Sequence, residues 1–577
     1  MSKTRTWMLG IGCLVVVVGV VLVVLAVCGL VGAGMPGKVV LAVHLDGPIA
    51  ELRPEDPLAE LMGDTTVGLR DLRNALVRAA EDDRVLGVRL RIDRFGGGMA
   101  AAQEIRALLS RVREAGKWSA AYLDTVGEFA PGNLQYYVAA ACDEVSINPM
   151  GDVNLIGLSV RTPFIRGTLD KLDINPEFKG RGDYKTARFM YTEKEFTDAH
   201  LEMMEWLVDS VMDQLVEDIA SSRGLEPSEV RRLVDRAPFL GEEALEVRLV
   251  DRLEDWGTFT ARLEEGDNAK AKVLGLRGYL RRSKARSSGP RIAVVTAVGA
   301  IMRGKSQKSF NPLLGSEVMG SDTIAKAWRD VRDAGDIRAA VFRVDSPGGS
   351  AVASEVIRQE MARTAEKIPV VVSMSNLAAS GGYWISCGAQ RIVAYPGTLT
   401  GSIGVFAGHI NMDDFWDDKL GVTYGRIDRG ANAAIYGDLE DWTDSQRQIV
   451  DRMLDRIYGA FLDRVSASRS MSREAVDAIG QGRVFTGAQG ADNGLVDLIG
   501  GFDAALNEAK RLANIGIDEP VRLVDFPKVK PIWQQILEQQ KEEETAIRAG
   551  LETLDAWWRT GRATVPGVVW MSPVYVE

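Results

Sequence analysis

FRVDSPGGS at 342–350 is a second version of LRIDRFGGG at 90–98. In both, an apolar, β-branched run ends in an aspartate and then a glycine-rich turn, which reads as a buried strand opening into a loop. Equally far upstream of the two stand RIAVVTAVG (291–299) and VVLAVHLDG (39–47), each closing on Gly-x-Ile. Downstream, YWISCGAQRIVAYP (383–396) matches YYVAAACDEVSINP (136–149), and RVFTGAQGADNGLVD (483–497) matches APFLGEEALEVRLVD (237–251). Repetition in this order dictates the architecture before any motif does. Between the first two strands of each copy lies an amphipathic stretch, TVGLRDLRNALVRAAED (66–82) or SDTIAKAWRDVRDAG (321–335). A further helix follows each glycine turn, and then another strand, WSAAYL or PVVVSMS. Alternating strands and helices predict an α/β fold in both copies.

A chain of 577 residues is too long for one core and suits two domains of roughly 200–250 residues each. A formal charge of −11 argues against nucleic acid as the main partner, because phosphate binding needs clustered Lys and Arg. The one basic run, RGYLRRSKARSSGP (277–290), mixes charge with Ser, Gly and Pro just before a new strand. It reads as part of a solvated linker over 265–289, between a first domain at 38–264 and a second at 290–525.

No charge occurs between Arg5 and Lys38, and residues 8–34 are almost wholly apolar or small. A membrane span needs roughly 20 such residues, a cleavable signal only about 7–15. Residues 8–34 therefore read as a single transmembrane anchor after a cytoplasmic tail of residues 1–7. Lys3 and Arg5 hold that tail inside, and the rest is exported. Leu25-Ala26-Val27-Cys28 also resembles a lipobox, although Val27 is bulky where such boxes want a small residue. Of the four cysteines only Cys142 and Cys387 lie in the exported part, in apolar runs where a free thiol packs as a small hydrophobe. His44, His200 and His409 are scattered and read as structural; no Cys/His cluster has metal spacing.

Gly299 and Gly304-Lys305-Ser306 spell a P-loop after a strand. The stretch from Ser306 onward, SQKSFNPLLGSE, is broken by Pro312 and Gly315 where a phosphate cradle needs a helix amino terminus. The match is accidental, and no nucleotide is expected.

The copies differ where chemistry would lie. Ser380, in NLAASGGYW, falls opposite Asn133, while Lys185, in GRGDYKTARF, falls opposite about Ala433. Taken alone, Ser380 is an N-cap serine as readily as a nucleophile. The small residues around it and the turn SPGGS (346–350) offer close approach and N–H groups for developing negative charge. A lysine kept neutral by a desolvated pocket serves as base without any histidine.

These features together resemble the signal peptide peptidase A family, in its long, internally duplicated form. The resemblance covers residues 8–525 and rests on FRVDSPGGSAVASE (342–355), ASGGYWIS (379–386), TGSIGV (400–405) and GRVFTGAQGADNGLVD (482–497). It implies two tandem crotonase-like, Clp protease-like domains, the first supplying the lysine and the second the serine. Ser380 then corresponds to the nucleophile, Lys185 to the general base and Ser402 to the serine that orients the lysine. Backbone N–H groups of Gly349 with Gly348 or Gly381 correspond to the oxyanion hole. The family lysine stands in Tyr-Lys-Ser; here it is Tyr184-Lys185-Thr186. The resemblance further implies apolar peptide substrates such as signal-peptide remnants, a homotetramer, no cofactor or metal, and a site outside the bacterial cytoplasmic (inner) membrane. Residues 526–577 form a helical extension in which 531–559 read as an amphipathic helix. Two other classes compete: a catalytically silent peptide-binding scaffold, and an acyl-CoA enzyme of crotonase type.

Overall fold

In a computed structural model, which describes residues 34–53, 65–283, 288–308 and 317–528, each copy builds its own mostly parallel sheet. The first copy runs β1 (Val39–Ala50), α1 (Leu69–Glu81), β2 (Val85–Gly96), α2 (Met99–Glu114), β3 (Trp118–Leu123), α3 (Asn133–Ala139) and β4 (Glu144–Ile147). It continues through β5 (Asn175–Arg181), α4 (Asp198–Arg223), β6 (Arg252–Leu253), β7 (Lys272–Gly275) and α5 (Leu276–Arg282). Its strands lie in the order β7-β1-β2-β3-β4-β6, all parallel.

The second copy runs β8 (Arg291–Val298), α6 (Ser321–Asp333), β9 (Ile337–Ser346), α7 (Ala351–Ala365), β10 (Val370–Ala379), α8 (Gly381–Ser386), β11 (Arg391–Ala394), β12 (Leu399–Gly401) and β13 (Val405–Asn411). After these come α9 (Asp444–Arg469), β14 (Val484–Thr486), β15 (Leu498–Ile499), α10 (Phe502–Leu512) and β16 (Arg522–Phe526). The order β14-β12-β10-β9-β8-β16 is parallel except for β14, which runs antiparallel to β12. Helices cover both faces, so the strands are buried on both sides and read as unbroken apolar runs. Leu72, Leu76 and Ala79 of α1 and Ile324, Trp328 and Val331 of α6 recur at helical spacing and point into the two cores.

The expected solvated linker at 265–289 needs correction. Residues 272–275 form β7, an edge strand paired in parallel with β1, and 276–282 form α5. Tyr279 is fully buried there and donates to Asp82, while Arg78 donates to the Ser283 carbonyl at 3.1 Å. The same edge position in the second sheet is taken by β16, so Phe526 closes that sheet rather than starting an extension. The proposed anchor at 8–34 and the helix at 531–559 lie outside the described residues, apart from Gly34. Among the described residues no helix is long and apolar enough to cross a membrane.

Several features join the halves. Strand β5 of the first copy pairs antiparallel with β13 of the second, from Asn175↔Asn411 to Arg181↔Val405. The start of α2 receives the Asn376 side chain, which accepts from Ala101 N–H at 2.9 Å. Deeper in, the Arg343 guanidinium on β9, 1% exposed, donates to Glu51 at 2.9 Å and Glu104 at 2.6 Å across the interface. Ser373 accepts from Nη1 of Arg343 at 3.0 Å, and Ser375 Oγ shares Nη2 with the two carboxylates at 3.0 Å. Removing a charged partner from so dry a cluster leaves an uncompensated charge, which costs about 3–5 kcal/mol.

Candidate active site

Strand β10 ends at Ser380, whose φ of 55° and ψ of −119° place a non-glycine residue in a sparsely populated region. Its backbone is held there from both sides, by Ser380 N–H to Gly401 O and Trp384 N–H to Ser380 O, each 2.9 Å. Small neighbours make the bend possible: a Cβ on Gly382 would fall 2.6 Å from Ser346 O, and one on Gly381 2.6 Å from Ser354 Oγ. Although Ser380 stands at the N-cap of α8, its side chain caps nothing. The hydroxyl turns to Lys185 instead.

Lys185 follows β5, so the β5–β13 pairing delivers it to the second half. Tyr184 N–H donates to Gln481 O at 2.9 Å, and Gly482 (φ +83°) lies so close that a Cβ there would be 2.4 Å from Lys185 N. The Lys185 Nζ stands 3.0 Å from Ser380 Oγ, 2.8 Å from Ser402 Oγ and 3.0 Å from Ser402 O. Ser402, itself at φ 52°, is fixed by donating its N–H to Arg483 O at 2.8 Å. Among the described residues no carboxylate pairs with the amine, and burial alone lowers its pKa from 10.5 to about 7. A neutral amine has two N–H bonds and one lone pair. Three oxygen contacts match that inventory, with two donated to Ser402 and one accepted from Ser380.

The turn after β9 faces the same point. Gly348 (φ +101°) and Gly349 (φ +147°) adopt conformations that side chains resist. Ile301 braces them, its N–H donating to Gly348 O and its O accepting from Ser350 N–H, both at 2.8 Å. Gly348 N–H is committed to Ser346 Oγ at 3.2 Å, which removes Gly348 from the expected oxyanion donors. Gly349 N–H and Gly381 N–H have no acceptor among the described residues, and Gly349 N lies 3.1 Å from where a Gly381 Cβ would sit. Gly349 and Gly381 line the same cavity as Ser380. The P-loop-like string runs into strand at residues 307–308 rather than into a helix; Gly299 O accepts from Ser346 Oγ at 2.7 Å, so this segment buttresses the turn.

A cavity of about 460 Å³ opens over these groups, its apolar side formed by Pro347, Ala351, Trp384, Val405, Ile457 and Phe461. No histidine lines it. His200 packs edge-on against Phe196 and His409 stacks on Trp442. Among the described residues only His44, Asp46 and Asp93 are grouped as metal ligands might be, and both carboxylates are occupied by Arg94 and Arg91. Cys142 and Cys387 are free and buried.

The corresponding place in the first copy is closed. Asn133 donates to Gly157 O at 2.6 Å and accepts from Gly157 N–H, while a Cβ on Gly98 would strike Asn376 at 2.4 Å. Ala433, opposite Lys185 in the repeat, is exposed. Gly482, Ile301 and Ser346 are parts of the site that sequence reasoning did not single out. The signal for Gly482 was present in the GRVFTG string, without a hint that it abuts Lys185.

A family model described as Peptidase family S49 matches residues 113–270 and 362–516. "Serine protease SPPA, chloroplastic" from Arabidopsis thaliana is 31% identical over 82% of this chain and 69% of its own length. "Protease 4" from Haemophilus influenzae is 32% identical over 88% of this chain and 85% of its own. A solved 1510-N membrane-bound stomatin-specific protease in complex with a substrate peptide is 15% identical, covering 44% of this chain and 100% of that one at a TM-score of 0.26.

Proposed function

We propose, from the premise that this chain belongs to peptidase family S49 and is a serine protease, that it cleaves apolar peptides with Ser380 as nucleophile and Lys185 as general base. The observation that carries this reading is the buried amine of Lys185, 3.0 Å from Ser380 Oγ and held near neutrality by burial alone. Lys185 takes the Ser380 proton as Oγ attacks the peptide carbonyl. Gly349 and Gly381 N–H meet the oxyanion, and the lysine then passes its proton to the leaving amine. Water hydrolyses the acyl-enzyme by the same steps. Ser402 acts on the lysine rather than on substrate, keeping its lone pair aimed at Ser380.

The wider assignment rests on the sequence and on its resemblance to the signal peptide peptidase A family. Residues 8–34 anchor the chain once through a bacterial cytoplasmic membrane with the amino terminus inside, and the catalytic part works on the exported side. The two α/β halves are of crotonase-like type, and the chain works as a homotetramer on cleaved signal peptides. Support for an apolar substrate comes from the apolar side of the cavity over Ser380. The test uses the full chain in mild detergent with an apolar fluorogenic peptide and a fluorophosphonate label. Wild type is expected to turn over peptide and to take up label, and Ser380→Ala to do neither. Undiminished turnover by Ser380→Ala overturns the assignment.

A further inference from the structure

In the proposed mechanism the attacked carbonyl lies between Ser380 and the N–H groups of Gly349 and Gly381. The side chain on the residue that owns this carbonyl must enter the nearest apolar space. That space is walled by Trp384, Phe461, Ile457 and Ala351. These residues come from three helices: Ala351 from α7, Trp384 from α8, Ile457 and Phe461 from α9. Trp384 is 5% exposed, and its ring centroid lies 4.6 Å from that of Phe461.

One carboxylate joins the same three helices. Glu355, on α7, accepts the Trp384 indole N–H at 2.8 Å on Oε2. Arg358 of its own helix reaches both carboxylate oxygens at 2.8 Å, and Gln359 donates to Oε1 at 3.0 Å. Arg464, one turn beyond Phe461 on α9, donates to Oε1 at 3.3 Å. Burial disfavours the charged form, but the bonds from Arg358, Trp384 and Gln359 outweigh it and keep Glu355 ionised, its pKa lowered to about 2. None of these groups reaches the reacting atoms. Their common effect is on the wall of the pocket.

Resting on the protease reading above, we propose that Glu355 is a positioning residue that fixes Trp384 as a rigid wall and thereby sets the largest side chain accepted next to the scissile bond. An indole free to rotate has only packing to hold it. An indole donating to a carboxylate that is itself clamped by two arginines has one orientation. The pocket therefore discriminates by size: aliphatic side chains fit against the fixed ring, and large aromatic ones collide with it. Discrimination of this kind in an apolar pocket amounts to about 10–200-fold.

The experiment compares kcat/KM for two fluorogenic peptides differing only in Leu or Phe before the scissile bond, using the full chain in detergent. Active sites are counted by fluorophosphonate. Wild type should prefer Leu. Trp384→Phe, which shortens the wall, and Glu355→Ala, which unties it, should each raise the Phe/Leu ratio by about tenfold. Glu355→Gln keeps an oxygen acceptor for the indole and should move the ratio by less than Glu355→Ala, which also guards against loss of folding in the alanine variant. Equal losses on both peptides, with the ratio unmoved in Trp384→Phe and in either Glu355 variant, overturn the proposal. The underlying reading fails separately, if turnover of either peptide survives Ser380→Ala.

Discussion

Titrating the enzyme through neutrality tests the lysine directly, because only its neutral amine can accept the Ser380 proton. At the ordinary value of 10.5, roughly 3 in 10,000 lysines are neutral at pH 7; at about 7, roughly half are. Burial thus raises the working fraction of base by about three orders of magnitude at pH 7, with no carboxylate among the described residues to hold the charge. The expected profile of kcat/KM on a fluorogenic peptide rises about tenfold per pH unit below pH 6, bends near pH 7, and is flat above about pH 8. At pH 5.5 the rate should be only a few per cent of the plateau. Lys185→Arg should remove the ionisation and the activity together, since a guanidinium does not deprotonate in this range. The assay needs a substrate without titrating groups between pH 5 and 9 and fluorophosphonate counts at each pH. A flat profile between pH 6 and 8, or substantial turnover by Lys185→Arg, would refute the Ser/Lys chemistry.

The geometry carries three further expected outcomes. Lys185→Met should stabilise the fold at pH 6 by about 1–2 kcal/mol: burying the amine costs about 4–5, and about 1 is lost with each of its three serine hydrogen bonds. The sign is set by a folded pKa below the unfolded one. Unfolding takes up a proton between pH 7 and 10.5, so the penalty is full below 7, and the advantage in thermal melting should shrink steadily towards pH 10. Gly482→Ala should lower kcat by about 100-fold or more with little change in KM, because its methyl would displace the Lys185 backbone; unchanged kcat would mean the loop yields freely. Ser402→Ala should reduce kcat about tenfold, far less than Ser380→Ala, since Ser402 O still holds the amine at 3.0 Å; complete loss would give Ser402 a larger role than orientation.

What the sequence disclosed was whatever repeats or alternates locally. The paired strands and helices announced two α/β copies, and Ser380 and Lys185 stood out as unmatched positions within them. Contacts between distant segments were hidden. Nothing in NPEFKGR or VFAGHIN says that they pair, and neither Glu51 nor Glu104 hints at Arg343. Four residues of β7 and one buried Tyr279 in an arginine-rich run are too weak a pattern to distinguish an edge strand and helix from a linker. The choice among glycines for the proposed oxyanion hole hung on one hydroxyl, that of Ser346, whose contact the sequence does not show.

Lys185 and Ser380 stand 195 residues apart along the chain, which has a consequence in time. A polypeptide made amino terminus first presents Lys185 long before Ser380 exists. On the proposed mechanism, every nascent or truncated chain that stops short of β10 is inert. So is any complete chain whose halves have not met through β5 and β13. Assembly is the activation step, and a hydrolase built this way needs no propeptide to spare the machinery that makes it.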